Sequence, residues 1–200
     1  RERVEELFAS VGLEGSRIDD YPHMFSGGMR QRAVIAAVFS LRPSLIIADE
    51  PTTALDVIVQ DQVLKQLADL VRKTGATLIA ITHDIGIVAE NCRKTGVMYA
   101  GKLVEIGPTE EVLIAPCHPY TLGLMTSIPQ LGRKFREGKT RLKEIPGLVP
   151  NLIRLPPGCL FQPRCPMAFP ACTQQRPPLF TLDAGHAVRC WLMEKEAKGP

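Results

Sequence analysis

Residues Leu45 to Asp56 read LIIADEPTTALD: four apolar residues run straight into two adjacent carboxylates, Asp49 and Glu50, followed by Pro51 and a polar turn. An apolar run of this length ending in acid is the pattern of a buried parallel strand that delivers charge to the end of a sheet. The first carboxylate suits a hydrated Mg²⁺, which takes oxygen ligands, and the second is placed to polarise a water. The stretch therefore reads as phosphoryl-transfer chemistry, and the segments on either side must supply the scaffold.

Downstream, Val57 to Lys73 is an amphipathic helix with Val63, Leu64, Leu67, Leu70 and Val71 on its inner face, and Gly75 follows as a C-cap. Ala76 to Thr82 is a second apolar strand ending on His83-Asp84. Strand, helix, strand at this spacing is a βαβ unit, so the strands are expected to be parallel with Asp49, Glu50 and His83 on one rim. Upstream, Ser26-Gly27-Gly28 opens a helix over Met29 to Leu41, which Pro43 stops. Its Ala33, Val34, Ala36, Ala37 and Val38 leave little polar surface, so this face is expected to be buried. A helical stripe over Glu2 to Val11 ends at Gly12, and Arg17 to Phe25 reads as loop.

Beyond the βαβ unit come a short helix (Ile85 to Cys92), a hairpin over Gly96 to Ile106 turning at Ala100-Gly101, and short helices at Thr109 to Ala115 and Tyr120 to Ser127. Periodicity fades after Gly132. Residues 1–132 carry 12 basic and 16 acidic side chains, whereas residues 133–200 carry 12 basic and 5 acidic, with ten of the 17 prolines and four of the six cysteines. That shift predicts a boundary near Leu131–Lys139, with an α/β domain over 1–132 and a small irregular Pro/Cys-rich domain over 133–200. The basic charges of the second part are scattered, which favours a solvated surface over a nucleic-acid or lipid site. No apolar run approaches the roughly 18 residues a membrane helix needs, and no signal peptide is visible. The opening RERVEELFASVGL is already helical and has no initiator Met, so the chain is expected to be a fragment or to start inside a domain.

Each motif has a plain reading alone. Ser26-Gly27-Gly28 at a helix start is an anion site by virtue of its unpaired N–H groups and helix dipole, and equally a simple serine cap. Asp49-Glu50 is equally a strand-end turn with solvated acids, and His83 a polar strand cap. Their order carries more. FSGGMRQR, LIIADE, ALD and ITHD, in that succession, resemble the signature motif, Walker B, D-loop and switch histidine of ATP-binding-cassette (ABC) ATPases. Met29 stands where the generic signature has Gln, as is common in the oligopeptide and dipeptide importer branch. VMYAGKLVEIGPTEEV, HPYTLGLMTSIPQL with its His118-Pro119-Tyr120, and RLKEIPGLVPNLIRLPPGCLFQPRCPMAFPAC resemble the extension of peptide- and nickel-importer ATPases, so the likeness covers nearly the whole chain.

The resemblance implies a partial P-loop NTPase-type (ABC) nucleotide-binding domain with a parallel sheet. It implies that Asp49 holds Mg²⁺ through water, that Glu50 is the general base on the attacking water, and that His83 contacts the γ-phosphate of ATP. Asp56 would lie across a dimer interface, and Ser26, Gly27 and Gly28 would bind the γ-phosphate of a nucleotide held mainly by a partner. It also implies a second ABC ATPase subunit, two membrane permeases and, indirectly, an extracytoplasmic solute-binding protein, with the chain peripheral on the cytoplasmic face of the inner membrane. No G-x-x-x-x-G-K-[ST] phosphate loop occurs in the 200 residues, so ATPase activity is expected of the full-length protein and not of this chain alone.

Cys159, Cys165, Cys172 and Cys190 are separated by five, six and seventeen residues and contain no C-x-x-C pair, so the zinc-ribbon pattern is absent. A disulfide pair fits badly with a chain lacking an export signal, four free structural thiols are one option, and a Cys₄ centre holding Zn²⁺ or a 4Fe–4S cluster is another. The resemblance implies the cluster ahead of zinc, because some members of this branch carry one at similar cysteines. Arg164 and Arg189 each precede a candidate ligand and are expected to favour the thiolate. Two rivals stand beside the importer reading. One is a non-transport ABC ATPase whose basic C-terminal segment contacts nucleic acid, although paired cassettes and coiled-coil insertions are absent and no nucleic-acid partner is expected. The other is a metal-cluster module on a vestigial ATPase, which the intact Asp49, Glu50 and His83 argue against.

Overall fold

Ile46, Val63, Leu67 and Leu70 draw the first half of the chain together: one strand residue and three helix residues at i, i+4 and i+7 that bury one common face. The structure, a computed structural model, describes residues 1–53, 55–127, 144–182 and 185–194, and its contacts divide into two compact units, Arg1–Ile85 and Gly86–Pro200.

The first unit contains α1 (Glu2–Ser10), α2 (Gly27–Ser40), β1 (Leu45–Asp49), α3 (Val57–Thr74) and β2 (Thr77–Ile81). β1 and β2 pair in parallel, with Leu45 opposite Thr77 and Asp49 opposite Ile81, as the βαβ spacing predicts. Asp56 caps α3 by accepting the Val59 N–H at 3.0 Å, and Gly75 ends it in the left-handed region at φ 69°, where glycine carries no Cβ penalty. Val11, Leu13, Phe25, Ile35, Ala36 and Phe39 complete the core.

Two expectations are corrected here. The buried face of α2 is Gly28, Ile35, Ala36 and Phe39, while Val34 and Val38 are 57% and 38% exposed. An Ala/Val-rich helix offers several possible stripes, and the bulky Ile35 and Phe39, four residues apart, decide which one packs. The strand pair is covered on one face only: Ile46 is buried, but Leu45, Ile47, Ile79 and Ile81 are each about half exposed or more. The Arg17–Phe25 loop is drawn into two 3₁₀ turns, Gly15–Asp19 and Pro22–Met24.

The second unit holds α4 (Ile85–Asn91), which begins at the junction, then β3 (Lys94–Tyr99), β4 (Lys102–Pro108), α5 (Thr109–Ile114), α6 (Pro119–Ser127), α7 (Pro170–Gln174), β5 (Phe180–Thr181) and β6 (Ala187–Val188). Ala100 and Gly101 turn the β3–β4 hairpin with φ of 47° and 74°, the paired positive values a tight two-residue turn requires. The sheet order is β3-β4-β6-β5, and all its pairs are antiparallel. The expected boundary near Leu131–Lys139 falls outside the described residues. Glu105 pairs with Val188 and Ile106 with Ala187, so segments from both sides of residue 132 share one sheet, and the Pro/Cys-rich segment supplies two of its strands.

That register buries Glu105 completely. Its Oε1 accepts the Cys117 N–H at 2.7 Å and hydrogen-bonds His186 Nε2 at 2.8 Å, and its Oε2 accepts the His118 N–H at 3.1 Å. Around it, Tyr99, Val104, Leu160 and Phe161 form the core, with Tyr99 edge-on to Phe161 at 5.3 Å and tilted against Tyr120 at 4.7 Å. Arg164 ties the 145–146 backbone to this cluster. Its Nε donates to the Pro146 carbonyl at 2.8 Å, its Nη2 to the Ile145 carbonyl at 2.9 Å, and its guanidinium lies 5.9 Å from the Tyr99 ring centroid.

Removing the Glu105 carboxylate strands three buried donors. Glu105→Ala is expected to cost about 3–5 kcal/mol in urea unfolding of the 200-residue chain, and Glu105→Gln less, since an amide keeps one acceptor. Equal unfolding midpoints for Glu105→Ala and the parent chain would show that the carboxylate holds nothing together.

Candidate functional site

The parallel pairing of β1 and β2 delivers the two acids and the histidine to one rim. The Glu50 N–H donates to the Ile81 carbonyl at 2.8 Å, extending the pairing one residue past Asp49, and the chain then turns back. Glu50 makes that turn at φ 45°, a left-handed conformation uncommon for a non-glycine residue. Its carboxylate is gripped at both oxygens: Thr53 Oγ1 donates to Oε2 at 2.7 Å, and His83 Nδ1 lies 2.9 Å from Oε1. These hydrogen bonds, Thr53 first and His83 second, hold the Glu50 pKa below the ordinary carboxylate value against a small opposing burial effect. The pair is open to solvent, with the His83 side chain 81% and the Glu50 side chain 43% exposed. Asp49 ends β1 on the same rim, and Thr82 Oγ1 accepts the Asp84 N–H at 3.0 Å just beyond β2.

Ser26, Gly27 and Gly28 form the entry to α2. Ser26 Oγ accepts the Met29 N–H at 3.3 Å, which leaves the Gly27 and Gly28 N–H groups at the positive end of a 14-residue helix. Gly28 also answers to packing, because a Cβ there would lie 2.4 Å from Val59 Cγ1, whereas one on Gly27 would meet Leu55 Cδ2 at an ordinary 3.5 Å. The SGG turn thus rests on the start of α3, the helix that Asp56 caps. Asp56 Oδ1 is used for the cap, a structural duty the sequence reading did not give it. Thr53 was also missed, although its place three residues after Glu50 in a polar turn was the available signal.

In the second unit, Cys159, Cys165, Cys172 and Cys190 line one small cavity together with His118, Phe161 and Trp191. The turns are tight: Cys159 N–H donates to the Cys172 carbonyl at 2.8 Å, and a Cβ at Gly158 would sit 2.1 Å from that carbonyl oxygen, so only glycine fits. The Gln162 N–H donates to the Cys159 carbonyl at 3.1 Å and the Cys165 N–H to the Gln162 carbonyl at 3.2 Å, so backbone turns hold these two cysteines. Among the described residues, no three of the four sulfurs are within 4.8 Å of one another, whereas tetrahedral Zn–S bonds of about 2.3 Å put sulfurs about 3.8 Å apart.

The expectation that cations favour the thiolate is corrected. Burial dominates and raises the pKa of Cys159, Cys165 and Cys190, the last to about 11. The Arg164 guanidinium is committed to the Pro146 and Ile145 carbonyls. Glu105, Cys117 and His186 place three ligand-type atoms within 4.8 Å of one another. The three N–H donors converging on Glu105 already satisfy its carboxylate, so this cluster is a hydrogen-bonded clamp. An acid in mid-strand between Val104 and Ile106 was the sequence signal for it.

His118 sits between clamp and cavity. It is 1% exposed, its Nδ1 accepts the Tyr120 N–H at 3.0 Å, and its ring centroid lies 5.8 Å from that of Phe161. Burial, partly opposed by Glu105, lowers its pKa to about 4, so the ring is neutral at physiological pH.

A family model described as "ABC transporter" matches residues 1–53, and one described as "Oligopeptide/dipeptide transporter, C-terminal region" matches residues 104–172. The chain is 46% identical over 198 residues to the oligopeptide transport ATP-binding protein AppD of Bacillus subtilis, covering 98% of this chain and 59% of that protein. It is 45% identical over 192 residues to the dipeptide transport ATP-binding protein DppD of Escherichia coli, covering 95% of this chain and 58% of that protein. The structure of cbiO1 from Clostridium perfringens, part of the ABC transporter complex cbiONQ, matches with a TM-score of 0.53 at 33% identity over 57% of this chain and 45% of that one. The chain therefore spans somewhat more than half the length of the curated relatives it matches. With the motifs of its first unit and the extension of its second, the chain belongs to the ATP-binding-cassette transporter ATPases, in their oligopeptide/dipeptide branch.

Proposed function

We propose that this chain supplies the signature-motif, Walker B, D-loop and switch-histidine share of an ATP-hydrolysing subunit that energises import of peptides or related solutes. The observation that carries the reading is the Glu50 carboxylate, fixed at both oxygens by Thr53 and His83 at the end of the parallel pair. A general base on water must be ionised and aimed, and a lowered pKa keeps it ionised. Phosphoryl transfer through a loose transition state asks more for positioned water than for a strong base, so this trade suits the chemistry.

In this reading Glu50 orients the attacking water and His83 both steadies Glu50 and reaches the γ-phosphate. With Nδ1 donating to Glu50, Nε2 donates to a phosphate oxygen only when the ring is doubly protonated. Asp49 would hold Mg²⁺ through water, and the metal would supply charge neutralisation at the phosphates. The Gly27 and Gly28 N–H groups and the Ser26 hydroxyl face the γ-phosphate of a nucleotide held mainly by a partner, and Asp56 lies at that dimer interface. The partners are a second ATPase subunit, two permeases and, at one remove, a solute-binding protein, with the subunit peripheral on the cytoplasmic face of the membrane. No helix among the described residues is long and apolar enough to cross a bilayer.

The four thiols are further proposed to hold a 4Fe–4S cluster. One cavity lined by all four thiols and sulfurs spread beyond a zinc tetrahedron support a group larger than one zinc ion. Such a cluster staples a segment with little apolar core.

In the longer subunit, with a phosphate loop present, Glu50→Gln should lower kcat by about 10²–10⁴-fold with nucleotide binding retained, measured as phosphate release. Residues 1–200 alone should release none; a Glu50→Gln subunit that keeps parental turnover would remove Glu50 from the mechanism. Anaerobically purified chain should be brown with about four iron atoms each, and Cys165→Ser should bleach it. A colourless chain with one tightly held Zn²⁺ sinks the cluster. In the metal-free chain, raised thiol pKa values favour the fold while the thiols are protonated. Their contribution should be complete below pH about 9 and lost as pH rises toward about 11, read from urea midpoints.

A further inference from the structure

We propose that His118 is a positioning residue for the cysteine cavity, an imidazole N–H donor aimed at the group the four thiols hold. The inference rests on the four-thiolate reading above and adds a residue that none of the cysteine spacings indicates. Three features build it. The ring lines the same cavity as Cys159, Cys165, Cys172 and Cys190. Its Nδ1 accepts the Tyr120 N–H at 3.0 Å, and that hydrogen bond places the proton of the neutral ring on Nε2. Among the described residues, Nε2 has no hydrogen-bond partner, although the residue is only 1% exposed. Nε2 is not among the fully enclosed unpaired atoms, so the N–H keeps a sliver of open space, and an anionic group in the cavity that the ring lines would supply its acceptor.

The ring's placement is not left to its own rotamer. The fully buried Glu105 takes the backbone N–H groups of Cys117 and His118, and Phe161 lies against the ring at 5.8 Å. β4 thus fixes the backbone at 117–118, α6 fixes Nδ1 through its first turn, and the remaining nitrogen is left for the cavity. Hydrogen bonds to the sulfurs are among the factors that set the potential of an iron–sulfur group, because a donor stabilises the more negative, reduced state.

The test is a one-electron redox titration of the anaerobically purified 200-residue chain, with dithionite as reductant, alongside iron and sulfide analysis. Three variants separate the roles of the ring. His118→Asn keeps an acceptor for the Tyr120 N–H but withdraws the donor from the cavity. His118→Gln restores an N–H near the Nε2 position, and His118→Phe removes both functions. His118→Asn and His118→Phe should keep their iron and become harder to reduce by at least about tenfold in the reduction equilibrium, or about 59 mV for one electron, while His118→Gln stays close to the parent. Iron-loaded His118→Asn with the parental potential would overturn the proposal, whatever its stability, because a purely structural histidine changes melting and not potential. A parent chain that binds no iron would overturn the four-thiolate reading itself, and the His118 proposal with it.

Discussion

The catalytic reading depends on a parallel register. Asp49 opposite Ile81, with the Glu50 N–H on the Ile81 carbonyl at 2.8 Å, fixes how far β1 projects relative to β2. Strand residues advance by about 3.3 Å each. A slip of one residue would therefore reverse the faces of every side chain and move His83 out of reach of a Glu50 oxygen now 2.9 Å away. The register is held in turn by Ile46, the one β1 residue buried among Val63, Leu67 and Leu70 of α3. A helix packed on the strand pair thus sets a hydrogen bond beyond its end.

The second unit solves a different problem with a different device. Its C-terminal segment is rich in Pro and Cys and poor in regular structure, so apolar area alone cannot fix it. Two residues of β6 and one carboxylate of β4 do much of the work. Backbone pairing brings Val188 opposite Glu105, and His186, two residues before, reaches the same carboxylate. A buried charge is weak evidence for stability, but one with three donors around it selects a single arrangement of the chain. Gly107 belongs to that selection, because a Cβ there would meet the His186 ring at 3.0 Å.

How much of this was legible in the sequence follows from range. The βαβ unit, the hairpin at Ala100-Gly101 and the caps at Ser26 and Gly75 rest on local chemistry, and periodicity or turn residues expose them directly. The common rim of Asp49, Glu50 and His83 was legible because parallel topology converts sequence order into position. The buried face of α2 was not, since Ala and Val are apolar on every side and the choice falls to neighbours far along the chain. The β4–β6 pairing was hidden for a related reason: a two-residue strand has no period, and its partner lies more than eighty residues away. Arg164 looked like a thiolate promoter because sequence adjacency to Cys165 suggests proximity of side chains. Its guanidinium instead goes to two carbonyls and the Tyr99 ring.

The motif residues of the first unit also carry structural duties, which bears on how they meet a nucleotide. Ser26 Oγ accepts a backbone N–H to cap α2, and that geometry leaves its O–H proton free to point outward as a donor. Asp56 uses Oδ1 to cap α3, which leaves Oδ2 for any contact beyond the helix. Gly28 is required by Val59, whose Cγ1 a Cβ would meet at 2.4 Å. For Ser26 and Asp56 the cap uses one atom or lone pair and leaves the rest of the side chain available. On the proposed reading, preorganisation of this kind would let a phosphate bind without breaking a cap, so the ordering cost would be met in folding rather than in binding.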